Sequence, residues 1–278
     1  PYLQGTDEAL RAIGHWVRYH APRLPSTVPA GAQAYTGADA PAALTPLLRR
    51  RTNAATALSL DEPASSALLS SFGIRVARGG LARSAEAAAR HAAAIGYPVA
   101  LKAVAAGLPH KSDAGGVVLG VASAAQARAA FKGIVDRVRA ARPGLHLDGV
   151  LVAEMVPPGL EVILGASFGP YGPAVVVGVG GVDVEARRDA VWALAPVDDA
   201  EARAMIGRLR AAALLGAARG RPARDVSALA DMLVRLSHLA VECAPWLEAV
   251  DVNPVIVGAD GQGACAVDAL VVLRPGAA

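Results

Sequence analysis

Of the 27 basic residues in this 278-residue chain only three are lysines, Lys102, Lys111 and Lys132, and the first two stand nine positions apart. A chain that otherwise uses arginine keeps a compact point charge on a flexible stem at those places, a shape suited to a phosphate in a narrow site. Lys102 lies inside Pro98-Val-Ala-Leu-Lys-Ala-Val104, a segment otherwise apolar. An ammonium there is costly unless its head reaches water or an anion. Two readings follow: an edge lysine snorkelling to solvent, or a lysine aimed from a sheet face at a phosphate. Next comes His110-Lys-Ser-Asp-Ala-Gly-Gly-Val117, which gathers an imidazole, an ammonium, a hydroxyl, a carboxylate and two adjacent glycines. Glycines let backbone N–H groups approach phosphate oxygens closely. The order is not that of a Walker A loop, and by itself the segment also reads as a polar turn between strands.

Two further groups carry oxygen chemistry. Glu154 interrupts the apolar run Leu151–Val156 and needs donors there, such as an adenine amino group, a ribose or a lysine. Pro157-Pro158-Gly159 breaks the run, as a hinge between lobes would, and Glu161 opens the next apolar segment. Near the end, Val250-Asp-Val-Asn-Pro254 alternates, so Asp251 and Asn253 share one face while Val250 and Val252 share the other. Asp268 stands amid Ala, Val and Leu in the segment that returns. An amide oxygen with one or two carboxylates makes a set of hard oxygen ligands, the kind Mg²⁺ takes beside phosphate oxygens and waters.

These residues need elements to hold them. The spacing predicts a short helix over residues 7–20 and a Pro/Gly/Ala-rich linker after it, bounded at 25–51. A helix follows Leu58, with Ser59 and Glu62 at capping-box spacing, Pro63 in the first turn and Phe72-Gly73 as its stop. A short strand is predicted at 74–76. Ser84 opens an Ala-rich helix ending at Gly96. Strands are predicted at 98–104, 116–121, 150–156, 161–166 and 173–179, with a helix over 123–141 between the second and third. Helices over 198–209 and 225–243 precede a closing hairpin, 249–257 and 264–273, turned at Gly258–Gly261. Mixed elements with an antiparallel end favour α+β in at least two lobes over a doubly wound sheet.

Composition bounds the rest. With 54% apolar residues and a net charge of +3, the chain has ample material for a core, built from Ala, Val and Leu because aromatics are only 4%. Its arginines are scattered without interleaved aromatics, which argues against a nucleic-acid partner. The most hydrophobic stretch, 173–182, is broken by glycines and too short for a bilayer, so no membrane association is expected. Cys243 and Cys265 lack metal-ligand spacing and read as small buried hydrophobes in a reducing, cytoplasmic setting.

Taken in order, Gly96-Tyr-Pro-Val-Ala-Leu-Lys102, His110-Lys-Ser-Asp-x-Gly-Gly116, Glu154-Met155, Glu161-Val-Ile-x-Gly165, Gly180-Gly181 with Glu185, Arg219-Gly-x-Pro222, and Asp251-x-Asn-Pro254 with Asp268 resemble the ATP-grasp part of ADP-forming acetyl-CoA synthetases. The chain is more distantly similar to the β-subunit of succinyl-CoA synthetase. The resemblance covers about residues 52–273 and implies an α+β ATP-grasp fold over 52–278, two lobes gripping ATP with Mg²⁺, the small lobe at about 96–156. It implies Lys102, Ser112, Gly115, Gly116, Glu154, Met155, Val156 and Glu161 as nucleotide contacts, and Asn253 and Asp268, with Asp251 beside them, as the metal group. His110 matches a loop histidine thought to relay phosphate, with Lys111 next to it. Residues 1–24 resemble the end of a preceding CoA-ligase-like region. A CoA-binding α-type region, upstream or separate, is the expected partner, in an oligomer that makes an acyl-CoA through a phosphohistidine. This chain departs from the family at Ala153, where Gln is common, and at Ala193, where Arg is usual. The alternative reading is a non-catalytic nucleotide- or ligand-sensing module, for example one fused to an acetyltransferase.

Overall fold

The computed structural model describes residues 42, 44–48, 57–105, 111, 114–180, 189–218 and 220–275. The helix expected over 7–20, most of the linker, His110, Ser112, Glu185 and Arg219 lie outside these residues. Part of the span expected as linker is described. Thr45–Leu48 form a turn of helix (α1), and Leu44 and Leu47 are buried in the main core, where their apolar surface leaves water.

Short polar side chains start the later helices. Asp61 caps α2 (Glu62–Ser71), its carboxylate accepting from the Ala64 N–H at 2.8 Å, and Gly73 follows with φ +75°. The cap is therefore Asp61 and not Ser59, which lies in the two-residue strand β1 (Leu58–Ser59). Ser84 caps α3 (Ala85–Ile95) and Ser123 caps α4 (Ala124–Ala141), both at the predicted positions. Asp198 starts α5 (Asp199–Gly207). Asp225 starts α6 (Val226–Glu242) and also accepts from Gly263 N–H at 2.9 Å, tying that helix to the last hairpin. Each such side chain satisfies a backbone donor that the first helical turn leaves unpaired.

Among the described residues the strands form two antiparallel sheets. The smaller has the order β2 (Gly79–Ala82), β5 (Gly149–Glu154), β3 (Val99–Val104), β4 (Val117–Val121). Of the strand predicted at 74–76 only Val76 pairs, in an isolated bridge to Ala266, and the first strand of the small sheet is Gly79–Ala82. One face of this sheet packs Val99, Leu101, Val150 and Val152 against Ala88, Ala92 and Ile134 of α3 and α4. Alanines let α3 lie close on the strands. The other face carries Lys102, Leu151 and Ala153.

The larger sheet runs β1, β11 (Ala269–Leu273), β9 (Leu247–Val257), β6 (Leu160–Gly169), β7 (Gly172–Val179), β8 (Ala190–Leu194), with β10 (Ala264–Ala266) also paired to β9. Strand β8 is absent from the sequence-based expectation. It is an edge strand with Trp192 and Leu194 exposed, and its alternation spans only five residues. The inner face packs Val162, Leu164, Val175, Val177, Val250 and Val252 on the leucine stripe Leu229, Leu233, Leu236, Leu239 of α6. Each fully buried leucine contributes about 1.5–3 kcal/mol relative to exposure. The opposite face of β9 presents Asp251 and Asn253, as alternation predicted.

Candidate functional site

β3 is an inner strand. Lys102 pairs across to Leu151 of β5 and Val117 of β4, so it is not a snorkelling edge residue. Its side chain is 7% exposed. The ammonium donates to Glu62 Oε1 at 2.8 Å and to the Val267 carbonyl at 2.8 Å. Lys111, in the loop after β3, donates to Glu62 Oε2 at 2.5 Å and reaches both carboxylate oxygens of Asp268 at 3.3 Å. Lys102 lies 4.0 Å from Asp268 Oδ2. Two ammonium groups thus meet two carboxylates, a balanced set that makes burial of Glu62 and Lys102 tolerable. Burial lowers the affinity of Lys111 for its proton, but Glu62 and Asp268 outweigh that and hold it above the usual lysine value.

Glu62 went unrecognised in the sequence, where it reads as part of a cap. Asp61 already does the capping, so the acid beside it is surplus to the helix start. That pairing of two acids before Pro63 was the available signal.

The loop between Lys111 and β4 is closed tightly. Gly116 N–H donates to the Lys111 carbonyl at 2.8 Å. A Cβ on Gly116 would stand 2.8 Å from that carbonyl oxygen and 3.0 Å from the Ala103 Cβ, closer than atoms pack. Gly115 has φ +64°, and its carbonyl accepts from Arg137 Nε at 2.8 Å.

Asp268 sits in the break between β10 and β11, where the returning strand leaves the ladder. Its carbonyl accepts from Asn253 N–H at 3.1 Å, which sets Asn253 beside it, and Asp251 lies two residues along the same face. Desolvation by the surrounding sheet, together with the Asp268 carboxylate, pushes Asp251 above the usual carboxylate range. Like charges gathered in this way favour a cation among them. Among the described residues no three His, Cys, Asp or Glu side chains converge as a metal site. A divalent ion here would draw the rest of its oxygen shell from a ligand and water. The donor set fits Mg²⁺ bound along with a phosphate, which takes one or two carboxylates.

A cleft of about 500 Å³ adjoins the charged cluster, lined by Glu62 and Val267 at the lysines, by Pro63, Ser66, Ala67 and Ser70 along α2, by Arg75, Val76, Ala77 and Arg78, and by Leu81, Leu151 and Ala153 of the small sheet. Its size suits a small-molecule ligand. One end is charged and the floor apolar. The sequence leads one to expect Lys102 and the hairpin oxygens to face each other over an open gap. They do face each other, but at ion-pair distance, and the open volume lies alongside.

Glu154 is engaged within the chain. Its carboxylate accepts from Arg78 N–H at 3.1 Å and Arg78 Nε at 2.7 Å. Burial would raise its pKa, but the Arg78 backbone N–H and guanidinium outweigh burial and hold it below the usual range. Its donors thus come from the chain itself, at the cleft wall, and it does not touch the lysine cluster. Met155 and Val156 are half-buried in the connection to β6. Glu161 is exposed at the start of β6, opposite Ile256, and its carbonyl accepts from Gly180 N–H at 2.8 Å. The structure therefore brings Lys102, Lys111, Asp268 and Asn253 together and leaves Glu154 and Glu161 at the two ends of the connection between β5 and β6.

A family model described as an ATP-grasp domain matches residues 51–273. The chain belongs to the ATP-grasp family. It is 39% identical over 215 residues to the β subunit of ADP-forming acetate–CoA ligase I of Pyrococcus furiosus, covering 77% of this chain and 91% of that one. The ligase II β subunit of the same organism is 36% identical over 208 residues, 74% of this chain and 88% of that one. A trans-feruloyl-CoA synthase from an unknown prokaryotic organism is 41% identical over 208 residues, 74% of this chain but 29% of the synthase. In structure the chain resembles the dinucleotide-forming acetyl-coenzyme A synthetase 1 of Ca. Korarchaeum cryptofilum in complex with coenzyme A, Ca-AMPCP and HgCl⁺. That match has a TM-score of 0.79 and 37% identity, covering 84% of this chain and 100% of the other. The same synthetase with coenzyme A and Mg-AMPPCP, its phosphohistidine segment pointing towards the nucleotide binding site, has a TM-score of 0.72 at 35% identity over the same shares. These relatives are ligases and synthetases, so the sensor reading gains no support from them. Among the described residues no helix is long and apolar enough to cross a membrane.

Proposed function

We propose that this chain binds ATP with Mg²⁺ at the lysine cluster and the cleft beside it, and supplies the γ-phosphoryl group for ADP-forming synthesis of an acyl-CoA. The observation that carries this reading is the convergence of Lys102 and Lys111 from the small sheet with Asp268 from the large one, within 4.0 Å. Phosphoryl transfer needs little from a protein beyond positioning and neutralisation of charge. Lys102 and Lys111 supply positive charge to the phosphates, and the Gly116 N–H, bonded to the Lys111 carbonyl, fixes the backbone that carries the second lysine. Leu81, Leu151 and Ala153 offer the base an apolar surface. Met155 and Val156 border the base and Glu161 the ribose, while Glu154, held by Arg78, shapes the wall between them.

Asn253 and Asp268 would hold Mg²⁺, with Asp251 beside them. When bound, the ion neutralises phosphate charge that the lysines leave uncovered. The acceptor of the phosphoryl group is a histidine on a CoA-binding α-type region; His110 matches the relay histidine that the family resemblance implies, and Ser112 its phosphate contact. The relatives named β subunits support such a partner.

The test is transfer of label from [γ-³²P]ATP with the CoA-binding region present. Acid-labile, base-stable phosphohistidine that requires Mg²⁺ and is lost in Lys102→Met is the expected result. ATP binding without any labelled protein would overturn the catalytic reading.

A further inference from the structure

Glu62 has a place in the site that capping does not explain. Its side chain is 3% exposed, and each carboxylate oxygen takes one ammonium: Oε1 from Lys102 at 2.8 Å, Oε2 from Lys111 at 2.5 Å. The lysines come from β3 and its loop in the small sheet. Their partners, Glu62, Val267 and Asp268, come from α2 and the closing hairpin, which pack with the large sheet. Without Glu62 the buried ammonium of Lys102 and the partly buried one of Lys111 would share Asp268 alone, and like charges repel more strongly as water is excluded.

We propose that Glu62 is a positioning residue: it binds both lysines at once, neutralises one of their two charges, and so keeps both heads directed at the place where the phosphates bind. This rests on the nucleotide reading above. An ammonium has three donors. Lys102 spends one on Glu62 and one on Val267, so one N–H is left for a phosphate oxygen. Lys111 spends one on Glu62, and its approach to Asp268 is released when Asp268 turns to a cation. Glu62 also sits at the first turn of α2, beside the cleft. A glutamine cannot replace it, because its NH₂ would face an ammonium donor to donor.

The experiment is calorimetric titration of the chain, as wild type, Glu62→Gln and Glu62→Asp, with Mg-ATP and separately with adenosine. Glu62→Gln is expected to weaken ATP about tenfold to a hundredfold, the size of a lost charged hydrogen bond, while adenosine changes less than about threefold. Glu62→Asp, which keeps the charge on a shorter arm, recovers part of the ATP loss. A merely structural role would weaken both ligands alike, and that result overturns the assignment. So does unchanged ATP affinity. Tighter ATP binding in Glu62→Gln would show the carboxylate competing with phosphate, and would also overturn it. If Glu62→Gln does not fold, Glu62→Asp decides: an ATP loss with adenosine unchanged supports the role, and parity with wild type refutes it. A wild-type chain that binds no ATP removes the nucleotide reading itself, whereas a binding wild type with indifferent variants removes only the role of Glu62.

Discussion

The Lys111 ammonium lies 3.3 Å from both carboxylate oxygens of Asp268, across 157 positions of sequence. The lysine belongs to a loop of the small sheet and the aspartate to a break in the last hairpin of the large one. Their contact ties the two sheets together beside the Glu62 carboxylate. Asp268 is paired with the lysine within the chain, and in the proposed function it also serves a divalent ion that arrives with a nucleotide.

Asp268→Asn separates these roles. It keeps the oxygen that accepts from Ala269 N–H at 2.9 Å and removes the charge. Mg-ATP affinity is expected to fall about tenfold or more, roughly 1.4 kcal/mol. ATP without Mg²⁺ is expected to bind as well as to wild type, or better, because one negative charge has gone. Titration calorimetry with Mg²⁺ and with EDTA checks this, and equal losses in both would remove Asp268 from the metal group.

Gly116→Ala tests the loop. The added methyl meets the Lys111 carbonyl and the Ala103 side chain, so the loop must shift. Overpacking of this kind costs about 1–3 kcal/mol. Because the displaced segment carries Lys111, ATP affinity is expected to fall with stability. A thermal melt and an ATP titration on the same variant are enough, and wild-type behaviour in both would show that the contact yields freely.

Glu154 gives an acid limb with a definite sign. Its folded pKa lies below the ordinary value of 4.5. Its stabilisation is therefore full above 4.5 and is lost as pH falls through the lower folded value. Glu154→Gln is expected to be about 1 kcal/mol less stable than wild type at pH 7, the net size of such a hydrogen bond. The difference should shrink below pH 4.5. Urea denaturation at pH 7 and pH 3 measures it, and a gap that does not depend on pH would contradict the Arg78 pairing.

The two thiols are predicted to be inert in the folded chain. Burial, with Glu242 nearby, pushes Cys243 up to about 12, and burial pushes Cys265 up to about 11. Reaction needs the thiolate. Iodoacetamide at pH 8 should label neither until denaturant is added. Rapid labelling of the native chain would place one of them at the surface. Because both folded values exceed the ordinary 9.0, the unfolded chain loses these protons first, and stability falls as pH rises above 9.

Much of the frame is local and was legible as such. Ser84, Ser123, Asp198 and Asp225 cap the helices they precede, because a short polar side chain satisfies backbone donors only a few residues away. Asp251 and Asn253 share a face because side chains alternate along any strand. Lys102 marked itself by being a charge among Val, Ala and Leu. The segments 74–76 and 190–194 were misread or missed because strands this short carry too little alternation to distinguish them from loop.

What the amino-acid sequence by itself determined was the set of unusual residues and the elements that carry them: lysines against an arginine background, carboxylates in apolar strands, glycines in a polar loop. Those follow from the chemistry of single residues and their near neighbours. Only the tertiary structure decided who meets whom. Glu62 and Lys102 are 40 positions apart and Lys102 and Val267 are 165, and no periodicity links them. Their contacts exist because α2 and the hairpin pack with one sheet while β3 belongs to the other. The pairing of Glu154 with Arg78, over 76 positions, has the same origin. Burial makes each of these charges find a partner, and the fold alone chooses which.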